Sequence, residues 1–153
     1  MKEELEDKRP KSLHRVFIRT AKMHKKTCQQ RFQQLGLTEG QPKVLEYLHH
    51  HNGCSQKDLA KNCHIQPATA TSLLGHLEKS GLIYREINSN DRRMTNVYLT
   101  EAGRASKQKV KMVFSEIDEQ CLEGFTSEEK EDLIQYLERI FENLKGKESQ
   151  TDA

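Results

Sequence analysis

Three groups of residues in this chain have types and spacings that do chemistry. The stretch NSNDRRMTNVYLTEAG, residues 88–103, sets two permanent cations, Arg92 and Arg93, beside the carboxylate of Asp91. Guanidinium groups on a loop suit phosphate or the negative potential of a narrow nucleic-acid groove. A carboxylate there is repelled by phosphate and is better placed to pair with an arginine and orient it. The second group, QPATATS at residues 66–72, brings Gln66 together with the small hydroxylated side chains of Thr69, Thr71 and Ser72. The third holds thiols and imidazoles: His24 and Cys28 are one helical turn apart, and HHHNGCSQKDLAKNCH spans residues 49–64.

The third group is the weakest carrier of function. Cys54 and Cys63 flank a short helical stretch whose nine residues separate them by about 13 Å. One tetrahedral ion with Zn–S near 2.3 Å does not bridge that gap, so no metal site is expected. His49, His50 and His51 fall at a helix C-terminus, where partial positive charge is favourable. A histidinium near Cys28 would lower its pKa and make it a redox sensor. The competing and favoured account is two small residues filling a helix interface.

Enzyme signatures are absent from the sequence: there is no Walker loop, GxGxxG, HExxH or nucleophile elbow. No cofactor is implied. No apolar run approaches the roughly 20 residues needed to span a bilayer, and MKEELEDKRPKSL is too acidic and polar for a signal peptide. A cytoplasmic protein with reduced cysteines and no membrane partner is therefore expected.

Composition limits the architecture. The 153 residues suffice for one core, but only 34% are hydrophobic, 31% are charged, and the mean hydropathy is -0.88. Long helices that complete their core with a second copy of the chain resolve that deficit. The net charge is only +2, yet residues 8–31 carry nine Lys or Arg and no acid, while residues 112–153 carry twelve acids against four bases. Such ends are either solvated faces or complementary surfaces that pack together.

Apolar periodicity supplies the elements. Leu13, Val16, Phe17, Ala21, His24, Cys28, Phe32 and Leu35 predict one long helix over 12–35, ended by Gly36. Thr38 is expected to cap a second helix, with Gln41 reaching back to the cap amide and Pro42 in the first turn. Asn52-Gly53 ends it. Ser55 caps a short third helix that buries Leu59 and Ala60. After a turn at His64-Ile65, a fourth helix starts at Pro67 and stops at Gly81. Its Ala70, Leu73, Leu74 and Leu77 face inward, leaving Ala68, Thr69, Ser72, Gly75, His76 and Lys79 outward. LIYREI (82–87) and MTNVYL (94–99) predict a hairpin tipped by NSNDRR. Thr100 caps a fifth helix striped by Val110, Val113, Phe114, Ile117 and Cys121. The capping box TSEE (126–129) opens a sixth, striped by Leu133, Leu137, Ile140 and Leu144. GKESQTDA reads as a frayed tail.

A capped short helix, a tight turn and a helix with a small polar free face form a helix-turn-helix pattern. Such a face fits the roughly 12 Å major groove, and a hairpin beside it reaches the neighbouring minor groove. The bland alternative for the tip is a solvated turn with a weak surface ion pair.

On QPATATSLLGHLEKSGLIYRE and DRRMTNVYLTEAG, the chain resembles the MarR family of winged-helix transcription regulators, with matching element order over residues 12–145. The resemblance implies a mainly α fold: a winged helix-turn-helix lobe over 38–100, dimerisation helices over 1–37 and 101–146, and a flexible tail at 147–153. It implies a homodimer on double-stranded DNA with a pseudo-palindromic operator, and repression relieved by a small anionic or aromatic effector. By position, Gln66, Ala68, Thr69, Thr71, Ser72 and His76 would face the major groove. Of Arg92 and Arg93, one would enter the minor groove and the other would pair with Asp91. Many family members carry arginine where this chain has Ser72, so Ser55, Lys57, Lys61, Lys79 and Arg85 are assigned to phosphate. His14, Arg15 and Arg19 are candidates for an effector pocket, and Cys28 for a redox site, although the peroxide-sensing branch places its cysteine earlier in the helix. The rival readings are a helical protein–protein adaptor of the same fold that does not bind DNA, and a thiol- or metal-responsive regulator.

Overall fold

In the computed structural model, residues 10–148 are described. Their order is α1 (Leu13–Gln33), α2 (Gln41–His50), α3 (Gln56–Asn62), α4 (Pro67–Lys79), β1 (Ile83–Ile87), β2 (Thr95–Leu99), α5 (Glu101–Cys121) and α6 (Ser127–Glu148). This is the mainly helical, hairpin-bearing architecture that the periodicity predicts. The chain divides into two compact units, Met1–Ser115 and Glu116–Ala153, with the boundary inside α5.

The first unit has a single apolar core. Phe32 at the end of α1, Val44, Leu45 and Leu48 of α2, Leu59 of α3, and Leu74 and Leu77 of α4 meet Ile83, Val97, Leu99 and Val110. Phe32 packs edge-on against Phe114, with ring centroids 5.0 Å apart. Of α1, Phe32 belongs to this core and Cys28 packs against it. Further toward its N-terminus, Leu13, Val16, Phe17 and Ile18 stand exposed.

Most predicted caps form as expected. Ser55 Oγ accepts from the Asp58 amide at 3.1 Å. In the second unit, Thr126 and Glu129 exchange the two hydrogen bonds of a capping box at 2.8 and 3.1 Å. The second helix differs. Gln41 Oε1 does accept from the Thr38 amide at 2.9 Å, but the cap position is Gly40, which sits in the left-handed region at φ 87. Thr38–Gln41 is therefore a turn leading into the helix, because Gly40 enters that conformation without a Cβ penalty. The expected tail also changes: α6 continues through Gly146, Lys147 and Glu148, and residues 149–153 lie outside the described residues.

The hairpin pairs Ile83 with Leu99 through Ile87 with Thr95. Tyr84 and Tyr98 stack across it at 5.0 Å. Residues 52–55 cover the other edge of β2, an element that periodicity does not reveal. Gly53 N donates to Val97 O at 2.8 Å, and Val97 N donates to Cys54 O at 2.9 Å. The Leu99 amide donates to Asn52 Oδ1 at 2.8 Å. An otherwise open strand edge is thus paired.

The start of α5 is tied to the end of α4. Thr100 Oγ1 donates to Gly81 O at 2.6 Å and accepts from Gly103 N at 3.0 Å, while Thr100 N donates to Leu82 O at 3.1 Å. A Cβ on Gly103 would overlap the Leu82 carbonyl oxygen. Gly103→Ala is therefore expected to cost about 3 kcal/mol, since backbone yields less readily than a side chain. Gly75→Ala, where an added Cβ meets nothing within 4 Å, should instead stabilise α4 by up to about 1 kcal/mol. Thermal unfolding of the two variants checks both signs. A Gly103→Ala protein as stable as the parent would show that α5 does not approach Leu82 this closely.

Candidate nucleic-acid interface

The helix-turn-helix is built locally. After α3, His64 adopts a left-handed φ of 54, and Ile65 N donates to Ala60 O at 2.9 Å. These bonds turn the chain so that Gln66, extended at the cap position, leads into Pro67. Gln66 makes no side-chain cap bond, so its amide is not consumed by its own helix. Ala70, Leu74 and Leu77 are buried, whereas Ala68, Thr69, Ser72, His76 and Lys79 are exposed along the opposite side of α4.

Thr71 is exposed but committed. Its hydroxyl donates to Pro67 O at 3.0 Å and accepts from Gln56 Nε2 at 2.9 Å. Ser55, assigned to phosphate from the sequence, is mostly buried: its hydroxyl caps α3 and it is bridged to Asn96 of β2, at the wall of a cleft that also holds Lys57 and Lys61. Lys57 and Lys61 are exposed on α3. Arg85 is engaged rather than free: its Nε and Nη2 donate to the two Glu78 carboxylate oxygens at 3.2 and 3.3 Å, and Nη1 donates to Gln56 Oε1 at 3.4 Å. The Arg85 hydrogen bond holds the Glu78 carboxyl below its ordinary range.

The wing tip is organised by two short side chains, the carboxamide of Asn88 and the carboxylate of Asp91. Asn88 Oδ1 accepts from the amides of Asn90 and Asp91 at 2.8 and 3.0 Å. Asp91 then receives the Arg93 amide and Nε at 3.1 Å and Nη2 at 3.3 Å. These bonds, the side-chain one first, keep the Asp91 carboxyl below the usual aspartate range. The partner of Asp91 is thus Arg93, whose side chain remains 90% exposed. Among the described residues Arg92 has no hydrogen-bonding or ion-pair partner.

Two cavities flank α4. A cleft of about 590 Å³ is lined by Lys57, Lys61, Thr71, Arg93 and Thr95, joining α3, α4 and the wing with three cations. The other, of about 900 Å³, is lined by Cys28, Phe32, Leu73 and Phe114 together with His24, Gln66 and Thr69. His14, Arg15 and Arg19 line neither cavity, since they lie on the N-terminal half of α1. Arg15 is bonded to Pro10 O at 3.0 Å.

Cys28 Sγ lies 3.8 and 3.9 Å from the two ring nitrogens of His24 on the wall of the larger cavity. Cys63 is buried and Cys54 partly buried. Burial pushes the Cys54 thiol up to about 11 and also raises that of Cys63. Among the described residues no three His, Cys, Asp or Glu side chains converge as metal ligands. No helix among them is long and apolar enough to cross a membrane.

Residues 37–95 match the model of the MarR family. The chain is similar to the uncharacterized HTH-type transcriptional regulator YwhA of Bacillus subtilis (strain 168), at 30% identity over 97 residues covering 63% of this chain and 70% of YwhA. It is 33% identical over 112 residues to the HTH-type transcriptional repressor YetL of the same organism, covering 71% of this chain and 66% of YetL. Among solved structures, S. aureus MepR in its complex with DNA is similar with a TM-score of 0.76 at 26% identity, covering 88% of this chain and 99% of that one.

A thiol whose pKa is raised stays protonated, and hence unreactive, until the pH approaches the raised value. In the native protein at pH 7, a maleimide should therefore spare Cys54 and Cys63 while modifying the exposed Cys121. Mass spectrometry of the labelled peptides reads this directly. Labelling of Cys54 as fast as Cys121 would contradict the burial argument.

Proposed function

Because this chain belongs to the MarR family of DNA-binding, HTH-type transcriptional regulators, we propose that it works as a homodimeric repressor of a pseudo-palindromic operator, released by a small effector. The observation that carries this reading is the pairing of a reading face with an aligned cation. Thr69 and Ser72 stand exposed on α4, and Arg93, which shares a cleft with Thr71 of the same helix, is exposed yet held by Asp91. In this reading Gln66, Ala68, Thr69, Ser72 and His76 face the major groove. Arg93 enters the minor groove, with Arg92 as a second cation at the tip.

The Asp91 pair does not remove Arg93 from service. A guanidinium carries five N–H donors, and the carboxylate uses two, leaving three for DNA. Holding the side chain in place also reduces the ordering cost of binding. Lys57, Lys61 and Lys79 supply phosphate contacts, the first two from the cationic cleft beside Arg93. Groove-lining residues set the preference, whereas these cations set overall affinity.

Homodimerisation is supported by unpartnered apolar surface. Leu13 and Phe17 of α1, and Phe141 and Leu144 of α6, are 68%, 45%, 62% and 64% exposed. Stripes of that kind on long amphipathic helices favour burial against a second copy. Two lobes then meet successive major grooves about one helical turn apart. Repression is the role of the related Bacillus subtilis transcriptional repressor YetL. The effector site best supported is the cavity of about 900 Å³, because its wall includes Gln66 and Thr69. An apolar or aromatic occupant there touches the reading helix itself.

The test is titration of DNA binding against salt. Arg92→Ala with Arg93→Ala should weaken binding to every duplex and flatten the slope of log K against log salt by roughly two, about 0.9 for each cation. Thr69→Ala and Ser72→Ala should each reorder the preference among duplexes; an unchanged order in both would sink the assigned face. Asp91→Ala discriminates more sharply. By charge alone it should tighten binding, but with Arg93 no longer aligned it should weaken it. Tighter binding would remove Asp91 from the mechanism, and no salt-dependent binding to any duplex would favour an adaptor.

A further inference from the structure

We infer that Glu78, Arg85 and Gln56 form a positioning clamp that fixes where the wing stands relative to the recognition helix, so that the minor-groove arginine and the major-groove face engage together. This rests on the reading of α4 and the hairpin as a DNA interface. The clamp is a closed circuit of side chains. Arg85, in the middle of β1, makes a bidentate pair with Glu78 near the end of α4. Its remaining nitrogen reaches Gln56 Oε1, and the same amide donates through Nε2 to Thr71 Oγ1, back on α4. Three elements, α3, α4 and β1, are thereby joined, and α4 is gripped at two points seven residues apart, about 10 Å along its axis.

The wing needs such a device. Residues 53–55 pair with β2 at Val97 and Asn96, but beyond Arg85 the hairpin projects from the core: Glu86 and Ile87 are exposed, Ile87 to 69%, and among the described residues the bonds at the tip are those of Asn88 and Asp91 within the tip itself. A two-stranded hairpin is marginal by itself in water. A bidentate arginine pair is directional, so it sets an angle as well as adding attraction. Arg85 is partly shielded, its side chain 25% exposed, while Glu78 is 41% exposed. Thr71 takes a role different from Thr69 and Ser72, because its hydroxyl is occupied by the clamp.

The experiment is a double-mutant cycle read on DNA, with a duplex selected by the parent protein from a random pool as the probe. In the parent, Arg93→Ala should weaken binding about tenfold or more. In a Glu78→Ala background the same change should cost less than about threefold, since a wing set loose no longer places Arg93 in the groove. The reversed pair, Glu78→Arg with Arg85→Glu, keeps the net charge and should restore the full cost of Arg93→Ala. A purely structural pair would lower the melting temperature without altering that cost. Equal costs of Arg93→Ala in the parent and in Glu78→Ala would overturn the clamp. Amide hydrogen exchange of the free protein is read in parallel: Glu78→Ala should speed exchange in β1 and β2 while leaving α2 unchanged, and unaltered exchange in the strands would equally overturn it. If the parent selects no duplex, the DNA reading fails, and the exchange measurement still decides whether the clamp holds the wing.

Discussion

The carbonyl oxygen of Leu82 sits at the junction on which the geometry of the candidate interface depends. It accepts the Thr100 amide, and the missing side chain of Gly103 lets the first turn of α5 come down onto it. Thr100 also bonds Gly81 at the end of α4. One short stretch therefore ends the recognition helix, begins the wing and launches the fifth helix from a common point. A Cβ at Gly103 has no room, so the LTEAG motif is a packing requirement of the backbone. Its connection to DNA binding is indirect: it fixes the root from which the wing extends.

From that root outward, control passes from apolar burial to directional polar bonds. Ile83, Val97 and Leu99 anchor the hairpin in the core. One residue further on β1 than Tyr84, burial gives way to the Arg85–Glu78 pair, and at the tip to Asp91–Arg93. The two pairs differ in environment. The first is partly shielded and joins separate elements; the second joins residues two apart in an exposed turn, where screening limits its contribution to stability. Its value lies in orientation. The same two-residue spacing holds the guanidinium outward while leaving most of its donors unused.

The uneven distribution of apolar residues follows the same logic. The core of the first unit takes Phe32 from α1, then leaves Leu13, Val16 and Phe17 exposed along the same helix. A chain with 34% hydrophobic residues that also leaves such stripes uncovered is poor in core as a single copy. Recognition helix, wing and cavity all belong to the first unit, so an occupant of the cavity beside Thr69 and Leu73 meets α4 directly. Coupling between ligand and DNA in that case needs no long path.

The order of six helices and a hairpin was legible in the sequence because helix periodicity, caps and turn glycines are local. Ser55, Pro67, Gly81, Thr100 and the TSEE box each act within four residues, and each appears where its chemistry puts it. Thr38 has the cap chemistry, but a left-handed Gly40 lies closer to the helix and takes the cap position. The free face of α4 and the cations of the tip could likewise be read from spacing. Side-chain commitments could not. Ser55 is mostly buried as a cap bridged to β2, Thr71 is taken by a glutamine 15 residues earlier, and Arg85 reaches Glu78 and Gln56, 7 and 29 residues away. The sequence determined which elements form and which faces are polar, since those depend on neighbours along the chain. Only the tertiary structure decided which polar groups remain available, because a hydrogen bond is spent on whatever folding brings within about 3 Å.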